Sequence, residues 1–325
     1  MDVRKKISIG CCCYNEAGNV RPTYEALRTV MDDLIQYDFE IIFADNASTD
    51  GTKDILRELA AQDQRVKVVF NRANFGAYNS GANRLRYVTG DAYITLPCDL
   101  QEPIEMIPEF LKYWEQGYDI VWGQKTQSEE NSIKYRLRGL YYSIIDKFSD
   151  RNQLRHVTGF GVIDRAVLDG FMVSKLQDPT LAIRHWAMEY GFRMKLIPYT
   201  QRKRTWGKSS FNVSKYLDFA ITSLCNTSTK PLRFMTITGI LTGIGCILVS
   251  LIYLVYKLTH WYSFSLGLAP LVIGLFFCMA VQLFCIGMLG EYVGILLRKV
   301  TKKVLVVEEE KLNIDDESDP GGNRN

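Results

Sequence analysis

Residues 39–62 read FEIIFADNASTDGTKDILRELAAQ. Phe39 to Ala44, apolar but for Glu40, is of strand length and stops at Asp45-Asn46. Ser48-Thr49-Asp50-Gly51 then opens a helix over Thr52 to Gln62. A strand that ends in polar residues and feeds a helix is the repeating half of a β-α-β chain. The rhythm extends both ways. Upstream, Ile7 to Cys13 reads as the first strand, and Asn19 to Gln36 has helical spacing at Val20, Leu27, Val30, Met31 and Leu34. Downstream come a strand at Val66 to Phe70, a helix at Asn79 to Tyr87, and a strand at Ala92 to Leu96 ending in Pro97-Cys98-Asp99. A helix from Pro103 through Trp114 and a fifth strand at Asp119 to Trp122 follow. The pattern predicts an α/β fold with a mostly parallel sheet covered on both faces. Such sheets bind ligands beyond the carboxyl ends of their strands. Tyr14-Asn15-Glu16, Asp45-Asn46 and Asp99 all stand at those ends.

The last third has a different composition. Phe234 to Tyr256 and Trp261 to Gly290 carry no charge. The first reaches roughly 35 Å as a helix, enough to cross a bilayer core. The short polar and aromatic stretch from Lys257 predicts a turn at the membrane surface between two spans. Lys230 and Arg233 precede the pair, and Arg298, Lys299, Lys302 and Lys303 follow it. The positive-inside rule then puts both ends, and the large N-terminal region, in the cytosol. The expected organisation is a catalytic domain over residues 1–212, juxtamembrane helices over 213–233, membrane helices over 234–257 and 263–297, and a cytosolic tail over 298–325. Glu308 to Asn325, acidic and then rich in Gly and Pro, is expected to be disordered.

Composition limits the function. The chain has 325 residues, a net charge of +3 and 47% hydrophobic residues. It lacks the basic signature of nucleic-acid binding. Its eight cysteines show no zinc or disulfide spacing. Cys11, Cys12 and Cys13 point alternately to opposite faces of a strand, which makes the triplet a poor chelator. Asp45 suits hydrogen bonds from a nucleotide, and serves equally well as a turn or cap residue. Asp99 and Gln101 offer two hard oxygens on one loop, fit for Mg²⁺ or Mn²⁺ on a diphosphate, or for local capping. Lys125, Lys134, Arg136 and Arg138, with Arg202, Lys203, Arg204 and Lys208, form basic clusters suited to phosphate. Gly207-Lys208-Ser209-Ser210 is a loop able to close over it.

These residues resemble the family 2 glycosyltransferases of GT-A (Rossmann-like) fold. Within them they resemble the polyprenyl-phosphate glycosyltransferases of the bactoprenol glucosyltransferase and dolichol-phosphate mannose synthase type. The resemblance is carried by Ser8 to Glu16, Glu40 to Gly51, Asn74-Phe75-Gly76, Asp99-Leu-Gln-Glu-Pro103, Gly117 to Val121, Thr158 to Gly161, Pro231-Leu-Arg233 and Leu289-Gly-Glu-Tyr292. It implies inverting transfer from a nucleoside-diphosphate sugar, a UDP-sugar such as UDP-glucose or UDP-N-acetylhexosamine, to polyprenyl phosphate at the cytosolic membrane face. The product would serve cell-surface glycan modification. It implies a donor pocket of Cys12, Tyr14, Glu16, Asp45, Asn46, Asn74, Gly76 and Ser209, and a metal on Asp99 and Gln101. Catalytic work falls to Asp99, Arg136, Arg204 and Lys208. It also implies membrane lipid contact and a homo-oligomer, a tetramer being one option.

The chain departs from the family at Cys12, where a Pro is usual, and at Asn46 and Pro97, where an Asp is usual. Gly159 and Gly161 stand where many relatives carry Asp and Arg. Two other readings compete: a processive polysaccharide synthase, suggested by Gln201-x-x-Arg204-Thr-Trp206, and a weakly catalytic nucleotide-sugar scaffold, suggested by Pro97.

Overall fold

The computed structural model describes residues 4–128, 156–177, 183–202, 230–259, 268–300 and 306–314. They fall into two units, one of residues 4–202 with 306–314 and one of residues 230–300.

The first unit is built on one sheet. Its strands are β1 (Lys5–Cys13), β2 (Tyr37–Asp45), β3 (Val66–Asn71), β4 (Ala92–Pro97), β5 (Ile120–Ser128), β6 (Val157–Asp164), β7 (Met194–Gln201) and β8 (Glu308–Leu312). The order is β7-β5-β6-β4-β1-β2-β3-β8. Pairings β1/β2, β1/β4, β2/β3 and β5/β7 are parallel. β6 lies antiparallel between β4 and β5, and β8 antiparallel to β3. The parallel core was expected. The antiparallel β6 was not, and its place depends on close approach rather than on a sequence period. Gly161 sits at φ +147°, and a Cβ there would overlap the Val121 carbonyl oxygen of the neighbouring strand.

Helices α1 (Ala17–Asp33), α2 (Thr52–Gln62) and α4 (Ile107–Glu115) cover one face, while α3 (Ala77–Arg84), α5 (Arg165–Gln177) and α6 (Ile183–Glu189) belong to the other. Strand alternation sorts the core. Ile7, Ile9, Cys11 and Cys13 join Ile41 and Phe43 under Val20, Leu27, Leu59 and Phe110 on the first face. Ile42 and Tyr93 pack with Tyr87 and Leu168 on the second. Burial on both faces explains why the central strands are apolar runs rather than alternating ones. α1 starts two residues earlier and ends three residues sooner than its apolar period indicated, and α3 ends at Arg84 before one 3₁₀ turn at Leu85–Tyr87.

The tail requires a correction. Glu308 to Leu312 is not disordered but forms β8, with Val68 opposite Leu312 and Phe70 opposite Glu310. Its acidic side chains, which read as a solvated run, meet basic partners: Lys53 Nζ lies 2.7 Å from Glu309 and Arg57 Nη2 2.7 Å from Glu310. Asn313 Nδ2 donates to the carbonyls of Ala60 and Val66. Complementary charge across an edge strand outweighs the disorder signature of the composition.

The second unit holds α7 (Lys230–Thr259) and α8 (Leu268–Val300), each with a window long and apolar enough to cross a membrane. Ile240, Leu241, Leu248, Leu275, Phe277 and Phe284 are exposed, which is the opposite of a helix in a soluble core. α7 continues past Lys257, where no residue breaks the helix. The residues between Thr259 and Leu268 lie outside the described set.

Candidate active site

The strand register brings the polar ends of β1, β2 and β4 side by side. Cys13 pairs with Asp45 and Cys12 with Pro97, so the end of β1 stands between the other two. The β1–α1 and β2–α2 loops are stitched together. Asn15 N donates to Ser48 Oγ at 2.9 Å, Glu16 N to Thr52 Oγ1 at 2.9 Å, Ala17 N to Asp50 Oδ2 at 3.1 Å, and Thr49 N to Asn15 Oδ1 at 2.9 Å. Asn15 and Ala47 both take positive φ, at 56° and 63°. That conformation is unfavourable for Ala, and the bridging bonds hold it.

Glu16 is buried beside Asn19, whose Nδ2 donates to Glu16 Oε2 at 2.5 Å, and its carbonyl accepts the first amides of α1. Tyr14 is exposed. Asp45 is fully buried. Its Oδ2 accepts from Ser48 N at 3.0 Å, which is the turn role, while its Oδ1 has no donor among the described residues. Burial raises its pKa, against the pull of the Ser48 hydrogen bonds. A buried acceptor with nothing to accept is a seat for a donor group from a ligand.

Asn46, Asn74 and Gly76 form a second network. Asn46 Nδ2 donates to Asn74 Oδ1 at 2.8 Å, and Asn46 Oδ1 accepts from Phe75 N at 3.0 Å and from Asn71 Nδ2 at 3.2 Å. Asn74 Oδ1 also accepts from Gly76 N at 2.9 Å. Asn46 uses both ends of its amide here. A carboxylate in its place would lack the Nδ2 donor to Asn74, so the chain's Asn at this position has a local reason.

In the turn after β4, Asp99 Oδ1 accepts from Gln101 N at 3.2 Å, and Leu100 between them takes φ 56° and packs back on the core. Gln101 Nε2 donates to the Arg202 carbonyl at 3.3 Å. Among the described residues no group of three or more His, Cys, Asp or Glu forms a metal cage. Two oxygens on one turn fit a Mg²⁺ or Mn²⁺ ion that takes its remaining ligands from water and a diphosphate.

Glu102, which sequence reasoning passed over, is the strongly perturbed acid of this edge. It is buried. Among the described residues its Oε1 has only long bonds, from Tyr199 Oη at 3.4 Å and Gln201 Nε2 at 3.5 Å, and its Oε2 has none. Burial and the adjacent Asp99 push its pKa up to about 7. The only sequence signal was an acid wedged between Gln101 and Pro103. Lys125 on β5 donates from Nζ to Gln201 Oε1. Arg202, counted with the basic cluster, lies 3.3 Å from Glu105. Arg136, Arg204, Lys208 and Ser209 lie outside the described residues.

A second feature adjoins this edge. Cys12, alone of its triplet, faces α3, where Arg84 Nη1 lies 3.2 Å from its sulfur. Both line a cavity of ≈ 460 Å³ with Tyr78, Tyr93, Pro97 and Gly159.

A mostly parallel α/β sheet with braced polar loops at neighbouring strand ends is the GT-A arrangement. Residues 8–174 match the family described as glycosyl transferase family 2. The chain belongs to that family and is a glycosyltransferase. It is 28% identical over 311 residues to the bactoprenol glucosyl transferase of Shigella phage SfV, covering 94% of this chain and 99% of that one. It is 28% identical over 293 residues to the prophage bactoprenol glucosyl transferase homolog of Escherichia coli K12, covering 89% and 94%. The Bacillus subtilis protein CsbB, named as a glycosyltransferase with no acceptor stated, is 29% identical over 301 residues, covering 91% and 89%. Among solved structures, S. aureus TarS 1-349 with UDP-GlcNAc aligns with a TM-score of 0.44 at 15% identity, covering 68% of this chain and 66% of that one.

Proposed function

We propose that the protein transfers a sugar, with inversion, from a nucleoside-diphosphate sugar, a UDP-sugar by preference, to polyprenyl phosphate at the cytosolic face of the cytoplasmic membrane. The observation that carries this reading is the return of the chain. It leaves the sheet after β7, runs through two bilayer-length helices, and rejoins the same sheet as β8. A chain whose two flanks share one sheet crosses a bilayer an even number of times. A hairpin with both ends on the cytosolic, Lys- and Arg-rich side satisfies that. The relatives named for bactoprenol cover nearly the whole chain.

At the site, Tyr14, Glu16 and Asp45 line the nucleotide pocket, with Asp45 Oδ1 accepting from the ligand. Cys12, Asn46, Asn74 and Gly76 shape its walls. Asp99 and Gln101 hold Mg²⁺ or Mn²⁺, which would supply charge neutralisation on the diphosphate. Arg136, Arg204, Lys208 and Ser209 engage the lipid phosphate and the leaving diphosphate. A lipid phosphate with a second pKa of about 6 is mostly dianionic at neutral pH and needs no strong base. The chain's own contribution is then orientation and electrostatic stabilisation of the leaving group.

The test is purified protein in detergent with polyprenyl phosphate and a panel of nucleotide-sugars, with and without Mg²⁺ or Mn²⁺, read by mass of the lipid product. A single-sugar lipid that disappears in Asp99→Ala is the expected result. A polymeric product, or none despite nucleotide binding, overturns it.

A further inference from the structure

Arg84 is a buried charge without a counter-ion. It is 3% exposed, and no carboxylate pairs with it among the described residues. Its one hydrogen bond runs to the Cys12 sulfur, a weak acceptor, and its Nε has no partner. The Tyr93 ring packs against it, 5.7 Å from centroid to guanidinium carbon, and the Tyr93 hydroxyl, in a side chain 1% exposed, has Arg84 and Thr95 as polar neighbours but makes no well-formed hydrogen bond among the described residues. Both side chains line the same cavity. β1 makes room for them. A Cβ on Gly10 would overlap the Tyr93 hydroxyl and lie 2.7 Å from Arg84 Nε. Gly10, Tyr93 and Arg84 come from three elements and converge on one spot, so the pair is built in.

A guanidinium stays protonated in a protein, and burying one unpaired is costly unless an anion arrives to meet it. The cavity offers the space. Its ≈ 460 Å³ falls in the range of small-ligand sites, and its wall at Cys12, Pro97, Thr158 and Gly159 adjoins the Asp99 turn. At Pro97 itself the chain presents no carboxylate to the cavity.

We propose that this cavity is an oxyanion subsite of the donor, in which Arg84 and the Tyr93 hydroxyl bind a carboxylate or phosphate oxygen lying just beyond the Asp99 turn. The inference rests on the nucleotide-sugar reading for its ligand but not for its chemistry. Two sources carry that oxygen: a carboxylate on the donor sugar, as in a nucleotide-linked uronic acid, or the β-phosphate of the diphosphate itself.

The experiment measures binding and Tm for the purified full chain and for Arg84→Met and Arg84→Lys. The probes are UDP, GDP, UDP-glucose, UDP-glucuronate and inorganic pyrophosphate. The ligand-free Arg84→Met protein is expected to melt no lower than wild type, because methionine fills the space without a buried charge. It should also lose about tenfold or more in affinity for the anionic probes. Arg84→Lys should recover part of that loss. A loss confined to UDP-glucuronate assigns the sugar carboxylate, and an equal loss for UDP or pyrophosphate assigns the phosphate. If pyrophosphate binds wild type but not Arg84→Met while no nucleotide binds either, the subsite stands and the donor reading falls. If nucleotides bind both proteins equally, the donor reading stands and the subsite is overturned. Destabilised Arg84→Met with unchanged ligand affinity also overturns it, by making Arg84 structural.

Discussion

Glu40 and Arg84 are both buried charges of one sheet unit, and they are treated in opposite ways. Glu40, 2% exposed, accepts from Ser8 Oγ at 2.5 Å, from Thr89 N at 2.9 Å and from Thr89 Oγ1 at 2.8 Å, with Lys67 Nζ at 2.8 Å and Lys6 Nζ at 2.9 Å. Burial works against its charge, and the bonds from Lys67, Ser8, Lys6 and Thr89 outweigh it, holding the pKa near 2. Arg84 has a thiol and an aromatic ring. The first is complete within the chain and joins β1, β2, β3 and the turn before β4. The second is incomplete among the described residues, as expected of a group that a ligand completes.

The comparison can be tested from the Glu40 side. Glu40→Ala strips the carboxylate from the largely buried Lys67 ammonium and from Lys6, and leaves the Thr89 amide and the Ser8 hydroxyl without their acceptor. It should cost about 3–5 kcal/mol in chemical denaturation, far outside what Arg84→Met does to the ligand-free protein. An equal cost for the two would erase the distinction.

Acid titration probes the same group without mutation. Glu40 ionises normally near 4.5 and in the folded protein near 2. Its contribution is therefore complete above about pH 5 and is lost as the pH falls toward 2. That loss amounts to about 3 kcal/mol. Stability that stays flat across that window in wild type, or an identical acid slope in Glu40→Gln, would contradict the assignment.

Gly10→Ala sharpens the Arg84 side. The added methyl has to displace Tyr93 or Arg84, at about 1–3 kcal/mol for an overfilled core. Anion affinity should fall with it, although Gly10 touches no ligand. Retained affinity in a folded Gly10→Ala protein would mean that the cavity does not depend on the seating of that pair.

Much of this molecule was legible in advance, for identifiable reasons. The parallel strands β1 to β4 were found from apolar runs ended by polar clusters, because burial on both faces forces that pattern. Tyr14, Glu16, Asp45 and Asp99 were singled out because strand ends are where such sheets present polar groups. Glu102 and Arg84 were missed. Glu102 reads as an ordinary loop acid before Pro103 and Arg84 as an ordinary charged residue on a helix, and the burial of each follows from partners that are distant in sequence. β8 was misread as disorder, because its acidic composition is the same whether it faces water or the Lys53 and Arg57 side chains of α2.

The sequence by itself determined the local states of β1 to β5 and α1 to α4, the two C-terminal runs long and apolar enough to cross a membrane, and which loops carry oxygen and nitrogen donors. Those follow from periodicity and composition within a few residues. The tertiary structure alone decided which charges are satisfied. Whether Glu40 finds two lysines, whether Arg84 finds none, and whether the tail docks on β3 all depend on residues brought together from far along the chain, and a buried charge is stabilised or stranded by what it touches.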